Sequence, residues 1–541
     1  MYQTGVEDLN SEHFRSPGSA PTGTLAAMLS DVPGGKSLAI EVANEQELRP
    51  LVIDLAVSLD PGDVVALSGD LGAGKTTFAR TLIRYLARDP TLEAPSPTFT
   101  LVQQYDVPRF PLLHADLYRV SDPSELLELG LDDLPEGAVL LVEWPERVPS
   151  ILPPNRWEIA FKVDAQRGTD FRDVQVIGHG TCAARLDRLV AGRMFLEENG
   201  FGNARRDRLA GDASSRSYER LTLVTNDIIL MNSPRRADGP PVKAGKPYSA
   251  IAHLAEDVTP FIAIANGLRA RGFSAPEIFA ADTASGFIAL EDLGNSQVVA
   301  GDPPAPLRPC YEAAVHVLIA LHKQILPDLL PVAPHVSYRL PAYDMDAYMI
   351  EVELLLEWYL PHRRTILSPQ ARSEYASLWR SALRPAAEAL ETWVLRDYHS
   401  PNLLWLPDRR GIACLGLLDF QDAVLGPAAY DLVSLLNDAR VDVPQAWETD
   451  MLRTYVRARS IDDPKFDTDH FALLYATMAA QRASKILGIF ARLDRRDHKP
   501  QYLRHQPRVW TYLKRALNHP ALAPLADWYR INVPAPEPSS K

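Results

Sequence analysis

One short run constrains the fold of the first part of the chain more than any other feature. Gly69-Asp70-Leu71-Gly72-Ala73-Gly74-Lys75-Thr76 fills every fixed position of the pattern G-x-x-x-x-G-K-T. Such a run functions only where a strand ends and a helix begins. Its glycines let successive backbone N–H groups turn inward around a phosphate, and the helix adds the positive end of its dipole. The flanks agree. Val64-Val65-Ala66-Leu67 is apolar, short and bounded by Pro61-Gly62 and Gly69, which predicts a buried strand. Thr76 to Leu86 predicts a helix with Phe78, Leu82 and Leu86 on one face. Gly69 to Thr77 then forms a nucleotide-binding segment, in which Lys75 reaches the β- and γ-phosphates and the Thr76 hydroxyl ligates Mg²⁺.

A second signature of a different kind lies far downstream. Arg396-Asp397-Tyr398-His399-Ser400-Pro401-Asn402 precedes Leu418-Asp419-Phe420. In kinase-type phosphoryl transfer an Asp orients the substrate hydroxyl, and an Asn five positions later holds a metal. A further Asp beyond the next strand bridges Mg²⁺ to the phosphates. Asp397, Asn402 and Asp419 keep that order and spacing, and Cys414 to Leu418 predicts the intervening strand.

Two phosphate-handling signatures on 541 residues indicate more than one domain. With 46% hydrophobic and 23% charged residues the composition is globular. A formal net charge of −13 gives no general attraction to nucleic acid, so DNA is not an expected partner, and RNA contact requires a local basic patch or another subunit. Cys182, Cys310 and Cys414 are far apart and odd in number, which suits a reducing cytoplasm. No apolar run reaches the roughly 18 residues of a membrane helix, and Met1 to Asp8 lacks the start of a secretion signal. A cytoplasmic protein without membrane contact is expected.

The fold class expected is α/β: an N-terminal P-loop NTPase domain followed by a C-terminal bilobal kinase-like (α+β) phosphotransferase domain. Residues 1–36, rich in Ser, Gly, Pro and Thr, predict a loose tail. Residues 37–180 form the first domain, with further strands at 99–105, 112–114, 138–142 and 157–163. Gly178-His179-Gly180 suggests a boundary, and residues 183–530 form the second domain, opening with a helix over Ala183 to Asn199. Leu221-Thr222-Leu223-Val224 and Asp227 to Met231 predict a hairpin. Beyond about residue 305 helices dominate.

Around the first signature, Ser96-Pro97-Thr98-Phe99-Thr100, His114-Ala115-Asp116-Leu117-Tyr118-Arg119, Glu128-Leu129-Gly130 and Val142-Glu143-Trp144-Pro145-Glu146 follow in order. Over residues 37 to 165 this set resembles the TsaE family, the ATPase component of bacterial tRNA threonylcarbamoyladenosine synthesis. The resemblance implies that Thr76 and Glu143 hold Mg²⁺ and that Asp116 stands near the metal or the attacking water. It also implies that the other subunits of that synthesis complex are partners, with tRNA an indirect one. The acidic balance then predicts that residues 1 to 180 alone bind tRNA weakly.

Around the second signature, Gly211-Asp212-Ala213-Ser214-Ser215-Arg216, Leu290-Glu291-Asp292-Leu293-Gly294 and Gly426-Pro427-Ala428-Ala429-Tyr430-Asp431 complete a pattern that resembles the aminoglycoside phosphotransferase-like kinases over about 200 to 500. The forms Asp-Ala-Ser-x-Arg and Leu-Arg-Asp-Tyr-His resemble the cell-wall amino-sugar kinases, which phosphorylate the anomeric hydroxyl of N-acetylmuramate or N-acetylglucosamine. This implies an ATP- and Mg²⁺-dependent enzyme acting on a small sugar, with Asp397 catalytic, Asn402 and Asp419 on metal, Ser214 and Ser215 at the phosphates, and Asp431 a structural acceptor. Two positions depart. Leu395 stands where many relatives have His, and Ile228-Ile229-Leu230-Met231 carries no phosphate-pairing Lys, for which Lys243 or Lys246 are candidate substitutes. A pseudokinase or regulatory module, and an antibiotic phosphotransferase with an acidic pocket, are the alternatives.

Overall fold

The computed structural model describes residues 14–15, 28–120, 134–209, 216–224, 226–236 and 239–537. It divides into two compact units, residues 15–232 and residues 233–541 joined by 1–14.

The first unit is built on an eight-stranded sheet. Its strands are β1 (Leu29–Val32), β2 (Gly35–Val42), β3 (Val64–Gly69), β4 (Val102–Asp106), β5 (Pro111–Asp116), β6 (Val139–Glu143), β7 (Arg156–Val163) and β8 (Arg172–His179), in the order β1-β2-β8-β7-β3-β6-β5-β4. Strands β7, β3, β6 and β5 run parallel at the centre. A parallel strand is covered on both faces, so β3 and β6 read as continuous apolar runs. Alternate residues feed opposite cores: Val65 and Leu67 pack with Phe78, Leu82 and Ile83 on one side, while Val64 packs with Leu140 and Val142 on the other. Helix α1 (Glu45–Ser58) is capped by the Asn44 side chain, and α2 (Lys75–Ala87) follows β3 directly.

Two details differ from the sequence reading. Residues 29–36, expected in the loose tail, form β1 and the start of β2. Residues 172–179, not among the expected strands, form β8, which pairs along its full length with both β2 and β7.

Helix α3 (Thr181–Glu198) and strands β9 (Arg205–Arg208), β10 (Ser217–Thr222) and β11 (Asp227–Asn232) complete this unit, the last three as an antiparallel meander. A buried ion network ties them to α1. Asp54, 4% exposed, receives Arg193 of α3 at 2.8 and 2.9 Å and also the Arg206 guanidinium. Arg206 meets Glu219 of β10 at 2.6 and 3.0 Å. Buried charges persist only when every one is paired in this way.

In the second unit, β12 (Ile278–Asp282) and β13 (Phe287–Glu291) form a hairpin. The rest is mainly helical: α4 (Arg308–His322), α5 (Met345–Leu354), α6 (Pro369–Glu388), α7 (Ala429–Leu436), α8 (Gln445–Asp462), α9 (Thr468–Asp497), α10 (Gln506–Ala516) and α11 (Ala523–Asn532). Helix α9, 30 residues long, crosses α5 at Gly488, where an added Cβ would sit 2.5 Å from the Leu354 carbonyl oxygen. Four short strands carry the second signature. β14 (Thr392–Val394) pairs with β17 (Val424–Gly426), and β15 (Leu403–Trp405) with β16 (Leu415–Leu417). No helix of the described residues is long and apolar enough to cross a membrane.

Candidate active sites

The first site gathers at the C-terminal ends of β3, β5 and β6, where parallel strands present their terminal residues to the following loops. The loop turns on glycines with φ of 131° at Gly69, 77° at Gly72 and 115° at Gly74. At Gly69 a Cβ would also stand 2.3 Å from the Phe161 carbonyl oxygen, so only glycine fits. Arg172 of β8 braces the loop by donating to the Ala73 carbonyl at 2.9 Å.

Lys75 donates to the carbonyls of Gly69 at 2.6 Å and Asp70 at 2.9 Å, and its ammonium lies 3.5 Å from the centroid of the Trp144 ring. Burial pushes the ammonium below its ordinary pKa, against the pull of Glu143, Glu146, Asp116 and Asp70. The Thr76 hydroxyl donates to Glu143 Oε2 at 2.7 Å, while His114 Nε2 meets Glu143 Oε1 at 3.0 Å. Asp116 and Glu143 are direct register partners on β5 and β6, both buried. The Asp116 carboxylate accepts from the Ser96 hydroxyl and from the Tyr118 N–H at 3.0 Å. Thus Lys75, Thr76, Asp116 and Glu143 are brought together around one loop, and Ser96 joins them. Their hard hydroxyl and carboxylate oxygens suit Mg²⁺. Beside the loop a cavity of about 300 Å³ is lined by Asn44, Ala73, Gly74, Thr77, Phe161 and Arg172.

In the second unit Asp397 sits between β14 and β15. The backbone N–H groups of Leu395 and Arg396 donate to the buried Asp431 carboxylate at 2.7 and 2.9 Å, which fixes the turn. Asp431 is therefore the structural acceptor that its position suggested. Burial pushes its carboxyl up to about 7, only partly offset by those two N–H groups. Asn402 Nδ2 donates to the Asp397 carbonyl at 3.0 Å and reaches Asp419 Oδ2 at 3.4 Å. Asp419, with φ 55°, is oriented by Gln421 Nε2 at 2.8 Å. Asp397 remains 41% exposed at its side chain, open to an incoming hydroxyl. Burial acts to raise its pKa, but His399, then Arg482 and Lys485, hold its carboxyl well below the usual range. Asn402 thus links the backbone of Asp397 to the Asp419 carboxylate.

Ser214 and Ser215 lie outside the described residues. Met231, where a lysine was sought, is a buried residue of β11. Lys243 is engaged with Glu353 at 3.4 Å. Sequence reasoning missed Arg482, whose guanidinium lies 3.7 Å from Asp397, and Gln421. Arg482 comes from the middle of α9, a helix with no motif of its own. The buried Glu351, bound by Arg396 and by Lys485 at 2.7 Å, was also invisible in the linear pattern.

These sites define a class: a P-loop nucleotide hydrolase and a kinase-type phosphotransferase on one chain. Residues 42–171 match the family model of the threonylcarbamoyl adenosine biosynthesis protein TsaE, and residues 206–473 that of the phosphotransferase enzyme family. A curated N-acetylmuramate/N-acetylglucosamine kinase of Caulobacter vibrioides is 40% identical over 362 residues, spanning 64% of this chain and 97% of the relative. One of Pseudomonas aeruginosa is 31% identical over 324 residues, 59% of this chain and 86% of the relative. The tRNA threonylcarbamoyladenosine biosynthesis protein TsaE of Rickettsia felis is 42% identical over 152 residues, 28% of this chain and 86% of the relative. The chain belongs to the TsaE family through its first part and to the phosphotransferase enzyme family through its second, and it is an enzyme with ATPase and phosphotransferase activity.

Proposed function

We propose that the first site hydrolyses ATP in support of threonylcarbamoyl modification of adenosine 37 in tRNA, and that the second transfers phosphate from ATP to the anomeric hydroxyl of a cell-wall amino sugar. Mg²⁺ at the first site is held by Thr76 and Glu143, whose oxygens already meet at 2.7 Å. Asp116 orients the attacking water. Lys75 leaves its carbonyl partners for the β- and γ-phosphates. The partners of this half are the other subunits of the tRNA-modifying complex, with tRNA held through them, in the cytoplasm.

At the second site Asn402 and Asp419 hold Mg²⁺ and Asp397 accepts the sugar hydroxyl's hydrogen bond. A carboxylate kept ionised at neutral pH is suited to that acceptor role. The reading is carried by one observation: Asp397, Asn402 and Asp419 converge in a chain that is 40% identical to a curated amino-sugar kinase along nearly all of the latter's length.

The test is product identification. Full-length protein, ATP and N-acetylmuramate should yield a phosphorus resonance coupled to the anomeric proton. Phosphate on another carbon, or none on either N-acetylmuramate or N-acetylglucosamine, overturns the sugar kinase reading. For the first half, adding the chain to the remaining purified subunits should restore threonylcarbamoyladenosine to tRNA, and failure to do so overturns that assignment.

A further inference from the structure

Several cations surround Asp397, and one of them, Arg440, forms no ion pair among the described residues. His399 Nε2 lies 3.6 Å from Asp397 Oδ1. Arg440 Nη1 meets the same nitrogen at 3.3 Å. The Arg440 backbone N–H donates to Asp438 at 2.8 Å, which fixes where the side chain departs. Among the described residues no carboxylate lies within ion-pair distance of its guanidinium. Its neighbours on the helical side are differently placed. Arg508 is bound to Asp442, and Arg515 to Glu448. Arg482, on the other flank of Asp397, is buried and donates to the Arg396 carbonyl at 2.9 Å. The cationic character is felt locally: burial, then Arg508, Arg504 and Arg440, push the His505 imidazole down to about 4.

A half-buried guanidinium whose nearest side-chain acceptor is an imidazole is poorly satisfied. The neutral ring offers one lone pair, whereas the guanidinium is built for two parallel bonds to a carboxylate. It shares His399 Nε2 with the carboxylate that receives the reacting hydroxyl. Of the two sugars that relatives are named for, N-acetylmuramate carries a lactyl ether ending in a carboxylate, one ring position beyond the acetamido carbon next to the anomeric centre. N-acetylglucosamine carries a plain hydroxyl there. A polycationic aminoglycoside would instead face Arg440 and Arg482 with like charge.

We propose that Arg440 is a specificity-determining residue of the second site: its guanidinium receives the lactyl carboxylate of N-acetylmuramate while Asp397 receives the anomeric hydroxyl. The site thereby selects an acidic amino sugar over its neutral counterpart and rejects cationic antibiotics. This rests on the amino-sugar kinase reading above.

The test uses the full chain and three substrates: N-acetylmuramate, its lactyl carboxamide and N-acetylglucosamine. The native protein should favour the carboxylate over the carboxamide by about 10- to 100-fold in kcat/KM, the worth of one charge-assisted pair. Arg440→Gln should raise KM for N-acetylmuramate by a similar factor, leave kcat within about threefold, and abolish the preference over the carboxamide. Its turnover of N-acetylglucosamine should be unchanged, which also reports correct folding. Arg440→Lys should keep part of the preference. Should Arg440→Gln not fold, the native protein's carboxylate-to-carboxamide ratio still decides. Equal use of the two, or equal losses on both sugars in Arg440→Gln, overturns the role of Arg440 while leaving the kinase reading intact. Phosphorylation of neither sugar by the native chain overturns both.

Discussion

The Thr76 hydroxyl donates to Glu143 at 2.7 Å, joining the first turn of α2 to the end of β6 across 67 positions of sequence. His114 holds the other oxygen of the same carboxylate at 3.0 Å, so Glu143 is aimed rather than free to rotate. In its proposed role as a metal ligand, Glu143 would keep its geometry when the ion arrives. Glu143→Gln removes the charge and keeps the shape. We expect ATP hydrolysis to fall about 100-fold and its Mg²⁺ requirement to shift to higher concentration, while phosphate transfer to sugar is retained. Steady-state assays across a Mg²⁺ titration check this.

Lys75 rests 3.5 Å from the Trp144 ring centroid. Phosphates compete for that ammonium, so its departure changes the indole's surroundings. Adding ADP should alter tryptophan emission, and Trp144→Phe should abolish the change although eight of the nine tryptophans remain. An identical response in Trp144→Phe would contradict the movement.

The network of Asp54, Arg193, Arg206 and Glu219 ties helix α3 and strands β9 and β10 to helix α1 within the unit of residues 15–232. Removing the central carboxylate leaves the buried Arg193 guanidinium without its acid and Arg206 with Glu219 alone. Asp54→Ala should destabilise this unit by about 3–5 kcal/mol, read by urea unfolding. A fragment ending at residue 180 should unfold at lower urea than one ending at residue 232.

Glu351 is pushed down to about 2: burial opposes its charge, but Lys485 and then Arg396 outweigh burial. A carboxyl whose folded pKa lies below its ordinary 4.5 contributes stability that is full above that pH and is lost as pH falls toward 2. The difference corresponds to about 3 kcal/mol. Glu351→Gln should therefore destabilise the chain at pH 7, and the gap to the native protein should narrow between pH 4.5 and 2. Unfolding midpoints across that range measure it.

Much of this was legible in the sequence, for a physical reason. Gly69 to Thr76, with an apolar strand before it and an amphipathic helix after it, leaves the chain one local solution, and that solution is present. Asp397, Asn402 and Asp419 flank the short β15–β16 pair, so their spacing carries their geometry. What stayed hidden is contributed across long separations. Arg482 and Arg440 approach Asp397 from α9 and from the segment after α7, where no periodicity marks them. The buried pairs of Asp54 and Glu351 look, in sequence, like ordinary charges on helix surfaces.

The central claim is that one chain carries two separate phosphoryl-transfer sites. Lys75→Ala and Asp397→Asn, each in the full-length protein, test it by measuring ATP hydrolysis without sugar and γ-phosphate transfer to N-acetylmuramate on the same samples. Lys75→Ala should lose hydrolysis and keep transfer, and Asp397→Asn should do the reverse. If either substitution abolishes both activities in a folded protein, or if each leaves both intact, the account of two independent sites is contradicted.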